Sequence, residues 1–437
     1  MSIPTLQGLQ TALSGLVAEQ AALDVTGNNI ANSDTEGYSR QRAVLQTNEP
    51  IVIPAISPLT GEGAQLGTGV SVATITRVRN VYLDAQYRTQ NSSLSEASTQ
   101  SEELTQAQAA FNEPSSSGLA SQISAFWNSW SELANDPTNI AAKQGVVAAG
   151  KSLANTFHEL SAQLSTISSQ AGEQYAALTG PSGEVQNDAN QIAQLNGQIK
   201  LAEQAGQKPN EMLDRRDLLL DKLSGLAQVT VSEQPDGTDT VSFGDAAKPL
   251  VEGTTVNWPQ ALTPAAGGKL GALLGLTAPT GALSGYQTAL DNVANTLAST
   301  VNALHTSTPF FSGTTAATLQ VAVTAAQVQT SSTKAAGGND VAQAIAALRG
   351  GAAEEGYAAL VEQVGTGVQT AKDEQANLQT TVTAIANQRQ SVSGVSLDEE
   401  MTNLISFQRG YQASARTLTA MDSMLETLIE HTGTVGL

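Results

Sequence analysis

The chain has 437 residues and a formal charge of −20, with 40% hydrophobic residues, 4% aromatic residues and no cysteine. The missing cysteine excludes a disulfide framework, a thiolate nucleophile and thiolate metal ligation. The acidic excess opposes binding to nucleic acid or to an anionic membrane surface. The length allows several domains, and a chain rich in Ala, Ser, Thr and Gln suits long helices with narrow seams better than one thick core.

At the N-terminus, Leu6, Leu9, Leu13, Leu16, Leu23 and Ile30 form an apolar stripe, with Gln20 and Gly27 as its weak positions. The stripe predicts an amphipathic helix that needs a partner. The first basic residue is Arg40, so the basic and apolar regions of a cleaved secretory signal are not expected. No run of about eighteen apolar residues predicts a membrane span, and membrane insertion is not expected. Asn28-Asn29-Ile30-Ala31-Asn32-Ser33-Asp34-Thr35-Glu36-Gly37-Tyr38-Ser39-Arg40 is a run of turn formers in which Gly37 can take a positive φ. Residues 41–80 read as extended, with Ala43-Val44-Leu45, Ile51-Val52-Ile53 and Val70-Ser71-Val72 separated by prolines and glycines.

Helical periodicity then runs through Leu83, Tyr87, Leu94, Leu104 and Phe111, and breaks at Glu113-Pro114. An aromatic-rich helix follows with Ile123, Phe126, Trp127, Trp130 and Leu133, expected to pack through that face. Further helices carry Leu153 to Ala171, Val185 to Ile199 and Met212 to Leu226. Val229-Thr230-Val231, Val241-Ser242-Phe243 and Leu250-Val251 alternate as strands, with Pro235-Asp236-Gly237 as a hairpin turn. A helix resumes at Leu283–Leu304; Leu319, Val321 and Val323 suggest a return to the β-rich part; and a helical seam runs from Tyr357 to Ile385. In the last segment Leu404, Tyr411, Leu418 and Leu425 recur every seven residues, with Leu397, Met401, Ala415 and Ile429 completing the stripe. That is a coiled-coil seam.

The expected fold is mainly α: an elongated multi-domain protein with terminal coiled-coil helices, a long helical bundle and a small β-rich outer domain. Residues 1–50 with 395–437 would form the terminal assembly domain, mobile in the monomer. Residues 51–226 with 276–305 and 350–394 would form the bundle, and 227–275 with 306–349 the outer domain. Neither terminal helix is expected to persist alone, since isolated helices are marginal in water.

No catalytic constellation is evident, and no cofactor or metal is expected. His158, His305 and His431 are isolated, without metal-ligand spacing. Gly61-Glu62-Gly63-Ala64-Gln65-Leu66-Gly67 lacks the third glycine of a dinucleotide fingerprint. Asp214, Arg215, Arg216 and Asp217 form a charge cluster on a helix, read as ion pairing.

At the asparagine-rich turn, Asn28, Asn29, Ala31 and Asn32 followed by Thr35, Gly37 and Tyr38 resemble the N-terminal signature of the bacterial flagellar rod, hook and hook-associated proteins. Leu397-Asp398-Glu399-Glu400-Met401-Thr402-Asn403-Leu404, with Gln408, Tyr411, Ala413, Ala415 and Leu425, resembles the paired C-terminal signature. Phe126-Trp127-Asn128, Leu213–Leu218 and Phe310-Phe311 resemble the hook-associated branch at the first hook–filament junction, although the β-rich middle is shorter than in many members. The resemblance implies a structural, non-enzymatic subunit located in the extracellular flagellum, exported through the flagellar type III channel with its N-terminus retained. Its expected partners are copies of itself in a ring, the hook protein, a second junction protein and an export chaperone. It also implies that the N-terminal leucines pack against Leu404, Tyr411, Leu418 and Leu425, within and between subunits. A hook or distal-rod subunit, or an axial protein with cell-wall hydrolase activity, are the alternatives.

Overall fold

The computed structural model describes residues 4–53, 64–333, 335 and 337–432. The N-terminal stripe forms helix α1 (Pro4–Ala31), and the C-terminal seam forms α11 (Leu397–Thr432). After the turn at Gly37, where φ is +79°, the chain enters β1 (Gln41–Thr47), which pairs antiparallel with β4 (Val70–Arg77) through a bulge at Val44/Leu45. The ladder is extended by β2 (Ile51–Ile53) with β3 (Ala64–Leu66). This hairpin lies on α1: the Val70 N–H donates to Ser14 Oγ at 3.2 Å. Helices α1 and α11 and the hairpin together make an arm. Residues 51–53 and 64–77, expected in the bundle, therefore belong to the arm; residues 54–63 of that expectation lie outside the described residues.

Two long antiparallel helices frame the bundle. Helix α2 (Val81–Phe111) starts on an Asn80 cap that accepts from the Tyr82 N–H at 3.1 Å. Helix α10 (Ala352–Ser393) returns beside it, with Phe111 against Tyr357, Ser98 bonded to Gln375 and Arg389 over the Tyr87 ring.

Two separate cores fill the space beside this pair. The core nearer the arm joins α5 (Glu184–Gln204) and α6 (Asn210–Leu226) to a four-stranded antiparallel sheet, β5 (Val229–Glu233), β6 (Asp239–Phe243), β7 (Asp245–Glu252) and β8 (Thr255–Val256). The Pro235-Asp236-Gly237 turn connects β5 to β6, with the Gln234 N–H donating to the Thr238 carbonyl at 2.8 Å and φ +80° at Gly237. Val241, Phe243, Leu250 and Val251 bury against Ile192, Leu220 and Leu223. A short helix, α7 (Gly268–Thr277), links the two cores, since Leu270 packs in this one and Leu276 in the next.

The far core joins α3 (Leu119–Asn135), α4 (Ile140–Thr179), α8 (Ala282–Leu304), β9 (Phe311–Ser312), β10 (Gln320–Val321) and α9 (Asp340–Ala346) to the outer ends of α2 and α10. Its centre is aromatic: Phe310 lies 5.7 Å from Phe126, 5.4 Å from Trp130 and 4.8 Å from Phe311, centroid to centroid. Trp127 and Trp130 are fully buried, so the aromatic helix face is a packing face.

The described residues of 227–275 and 306–349, expected as one outer β-rich domain, lie in different sheets and different cores. The first stretch is tied to α5 and α6 by polar groups that periodicity does not reveal. Asn196 donates to the carbonyls of Asp239 and Gly253 at 2.9 and 2.8 Å, and Arg216 pairs with Asp239 at 2.9 Å. The second stretch is drawn to α4 through the aromatic cluster and through His158, whose Nε2 meets the Leu319 carbonyl at 2.6 Å. The four-stranded sheet thus sits near the arm rather than furthest from the chain ends.

Candidate assembly interface and its joint

Helices α1 and α11 pair antiparallel in one continuous register. Gly8 faces Met421, Gly15 faces Ser414, Glu19 faces Gly410 and Asn29 faces Glu400. The approach is close because one side is small. A Cβ on Gly8 would stand 2.7 Å from Met421 Cε, and one on Gly15 3.1 Å from Ser414 Oγ. Between these positions Ala12, Ala18 and Ala22 are buried. On α1 the seam is therefore Gly8, Gly15, Ala22 and Asn29 at heptad spacing, with alanines between.

The leucines lie elsewhere. Leu9, Leu16 and Leu23 each follow a seam residue by one place, which turns them about 100° around the helix, and they are half-buried, as is Ile30. Leu13 is 47% exposed and its neighbour Val17 56%. The side chain of Leu6 lies outside the described residues. On α11, Leu404, Tyr411, Leu418 and Leu425 are half-buried, alternating with Glu400, Phe407, Ser414 and Met421, which complete the seam at intervals of three and four. Leu397 and Met401, expected in that seam, are 51% and 49% exposed and stand off it with Ile405; Ile429 is also exposed. Counting leucines missed this seam because its close-packed positions are glycine, alanine and serine, whose heptad recurrence was the available signal.

The asparagine-rich turn closes the base of the arm. Asn29, 1% exposed, uses all four of its side-chain hydrogen-bonding sites. Its Oδ1 accepts from the Gln41 N–H at 2.9 Å and the Tyr38 hydroxyl at 2.8 Å; its Nδ2 donates to the Gln41 carbonyl at 2.9 Å and Glu400 Oε2 at 3.0 Å. Asn28 Oδ1 accepts from Tyr38 and from Asn32, and Asn32 Oδ1 accepts from Thr35. Burial, with Asp214, Glu211 and Glu400 nearby, pushes the Tyr38 hydroxyl up to about 12, so it stays a donor. A Cβ on Gly37 would meet Leu218 of α6 at 3.1 Å, so this turn packs directly on the bundle. Ala31 is exposed and makes no part of these contacts.

Next to this turn lies a joint built from charge. Arg40 pairs with Glu400 and Glu399, both at 2.8 Å, and its N–H donates to the Ser393 carbonyl at 2.9 Å. The Ser39 N–H donates to Asp214 at 3.1 Å, and Asn210 donates to Gln41 and to the Ile75 carbonyl, each at 3.0 Å. Behind them four arginines interlock with four aspartates. Arg77 holds Asp214 and Asp217; Arg79 holds Asp84 and Asp217; Arg88 holds Asp217 and Asp221; Arg389 holds Asp84 and Asp221. These pairs lie at 2.7–3.0 Å. Burial works against the Asp217 charge, but Arg79, Arg77 and Arg88 outweigh it and hold its carboxyl below the ordinary range. Of the charge cluster read on one helix, Asp214 and Asp217 thus join α6 to β4 and α2, with Asp221 adding the neighbouring α10, while Arg216 turns to the four-stranded sheet.

The chain is 31% identical to the flagellar hook-associated protein 1 of Bacillus subtilis, with 99% of each chain covered. The chain belongs to the flagellar hook-associated protein 1 family. That alignment spans 512 positions, more than the 437 residues here, so the relative carries segments with no counterpart in this chain. The hook-associated protein 1 of Salmonella typhimurium is 31% identical over 56% of this chain and 42% of its own. The family model of the FlgK helical domain matches residues 104–265, which run from the end of α2 into both cores. A flagella basal body rod model matches residues 9–38, and the C-terminal model of the rod FlgEFG proteins matches 386–430. These two segments are α1 with its turn, and α11 with the end of α10: the two sides of the seam. The flagellar hook junction protein FlgK of Burkholderia pseudomallei aligns with a TM-score of 0.45 at 26% identity, over 51% of this chain and 43% of that one.

Proposed function

We propose that this hook-associated protein 1 family member is a structural subunit of the bacterial flagellum, placed at the junction between hook and filament and assembled through the α1–α11 arm. One observation carries the reading. Among the described residues, the large apolar side chains left exposed concentrate on the arm: Leu13 and Val17 on α1, Leu45, Ile51 and Leu66 on the hairpin, and Leu397, Met401, Ile405, Met424 and Ile429 on α11. The much larger bundle leaves only Val81, Tyr82, Ile140 and Leu201 in that class. Apolar surface kept on one slender element marks a site of protein association.

The arm satisfies its small-residue seam within the chain and keeps a second apolar face for other copies. Such a contact joins two different faces, so it propagates head to tail along an axis or ring instead of closing at a dimer. Adjacent copies, the hook protein and a second junction protein are the partners this reading gives it. Export through the flagellar channel, guarded by a chaperone, fits an arm that is loosely ordered before assembly. The role is mechanical, not catalytic.

The test is electron microscopy of a deletion strain together with a flagellin assay of the medium. Complete hooks lacking filaments, with flagellin lost to the medium, are expected. Absent hooks would move the protein to the rod or hook, and normal filaments would remove it from the axis.

A further inference from the structure

An open groove at the outer end of the bundle takes no part in the arm or the joint. It runs between α3 and α10 over the Glu113–Pro114 loop and encloses about 460 Å³. Its apolar lining is Pro114, Ala120, Ile123, Ala358 and Val361. Three carboxylates share it: Glu113, Glu354 and Glu362. On α10, Glu354 and Glu362 are eight residues apart and bracket the apolar stretch on one helix face.

The floor is built rather than loose. Glu113 Oε1 accepts from the Tyr357 hydroxyl and from the Ala120 N–H, each at 3.0 Å. Gly118 leaves room for that carboxylate, which a Cβ there would strike at 2.6 Å from Cδ. Burial, reinforced by Glu113, raises the Tyr357 pKa, so its hydroxyl remains a donor to Glu113. Among the described residues, no lysine or arginine lines the groove. Arg349, which reaches the Ser124 carbonyl at 3.5 Å at one end, is held by Asn128 Oδ1 at 2.8 Å. The groove therefore offers apolar surface and negative charge together.

We propose that this groove docks a basic segment of a different protein, seating an apolar side chain against Ile123 and Val361 while a neighbouring lysine or arginine reaches Glu354 or Glu362. Pairing an apolar pocket with a few convergent polar groups is how such sites set orientation, and complementary charge selects the partner. A second copy of this chain is the wrong occupant, because at −20 its surface repels a negatively lined groove. That the partner is a flagellar component rests on the function proposed above; the ligand chemistry does not.

Two measurements test it. The first titrates the full chain with hexylammonium and with 1-hexanol, followed by NMR. Hexylammonium is expected to bind about tenfold more tightly, and the preference should vanish in an E354Q/E362Q variant that melts like the parent. Equal binding of the two probes, or a preference that survives the double substitution, overturns the proposal. The second places the photo-cross-linker p-benzoylphenylalanine at Ala358 in cells, with a matching variant at Leu13 as control, and irradiates purified flagella. The expected adduct at position 358 is a lysine- or arginine-bearing peptide of a different flagellar protein. An adduct to a second copy overturns the docking. So does none at 358 while Leu13 cross-links, because an ammonium preference alone would then mark a small-amine site. If neither position gives an adduct, the assignment to the flagellum fails, and the hexylammonium titration decides the groove by itself.

Discussion

The arm and the far core are made of the same kind of helix but solve opposite problems. The far core surrounds its helices with Phe126, Trp130, Phe157, Phe310 and Phe311, all essentially inaccessible. The arm presses two helices together along Gly8, Gly15, Ala18 and Ala22 and leaves Leu13 and Val17 facing outward. Large side chains enclosed on all sides give stability to a single chain. Small side chains at a two-helix seam allow close approach but bury little, so the arm contributes little to that stability and keeps apolar surface for neighbours. The joint lies between the two, and its energetics differ from both, because removing one partner strands buried charge.

The sharpest break of this comparison is in the far core. Trp130→Ala should cost roughly 3–5 kcal/mol of folding stability, read by urea unfolding of the purified chain. A loss below about 1 kcal/mol would mean that the aromatic cluster is not where stability resides.

A somewhat smaller loss is expected at the joint. Asp217→Ala leaves Arg77, Arg79 and Arg88 short of a partner, at a cost of roughly 3 kcal/mol. Unlike the tryptophan change, it should also loosen the arm. Hydrogen exchange in β4 and at the start of α2 should rise beyond the global effect, whereas a uniform rise across the chain would contradict a local joint.

Within the arm, substitutions should leave the bundle alone. Leu418→Asp and Leu13→Asp are each expected to change the urea midpoint little, since both side chains are only partly covered, and to abolish incorporation into flagella. Gly15→Leu should split the α1–α11 pair by wedging a side chain against Ser414, visible as lost exchange protection in both helices. Normal filament attachment with Leu418→Asp would count heavily against the seam as an assembly element.

How legible all this was from sequence follows from what each region is made of. Helix α2, the aromatic face of α3 and the heptads of α11 were readable because large apolar residues recur at helical spacing. The arm's contact face was misplaced because leucines were followed, when glycine, alanine and serine mark the close approach. The joint was half legible: Asp214 and Asp217 stood out as an ion-pairing cluster on α6, but their partners did not, and Arg40 and Glu400 are 360 residues apart, a pair that no local pattern predicts. The two β-rich stretches looked alike in composition, and Asn196 and Phe310, which assign them to different cores, carry no strand signal.

The smallest expected effect is with pH, and it separates the two cores by sign. His305 is 1% exposed in the far core, edge-on to Trp130 and Phe310. Its Nδ1–H donates to the Thr308 carbonyl at 2.6 Å and its Nε2 accepts from the Gln329 N–H at 2.8 Å. Protonating Nε2 would set two N–H groups against each other, and burial holds the pKa below its ordinary 6.5. The unfolded chain takes up that proton first, so stability is complete above 6.5 and declines as pH falls through 6.5 toward the folded value. Asp188 of α5 lies in the other core, 7% exposed, with no hydrogen-bond partner at Oδ2 among the described residues. Burial first, then Glu184, raises it from 3.8 to about 6 against the pull of Lys222. Here the folded chain takes up the proton first, so that core gains stability as pH falls from about 6 toward 3.8. Exchange free energies, corrected for intrinsic rates, should fall in α8 and rise in α5 between pH 7 and about 5. His305→Gln should flatten the first trend and Asp188→Asn the second. A parallel change in both helices would mean that the two cores open as one unit, and stability could then no longer be assigned to the far core alone.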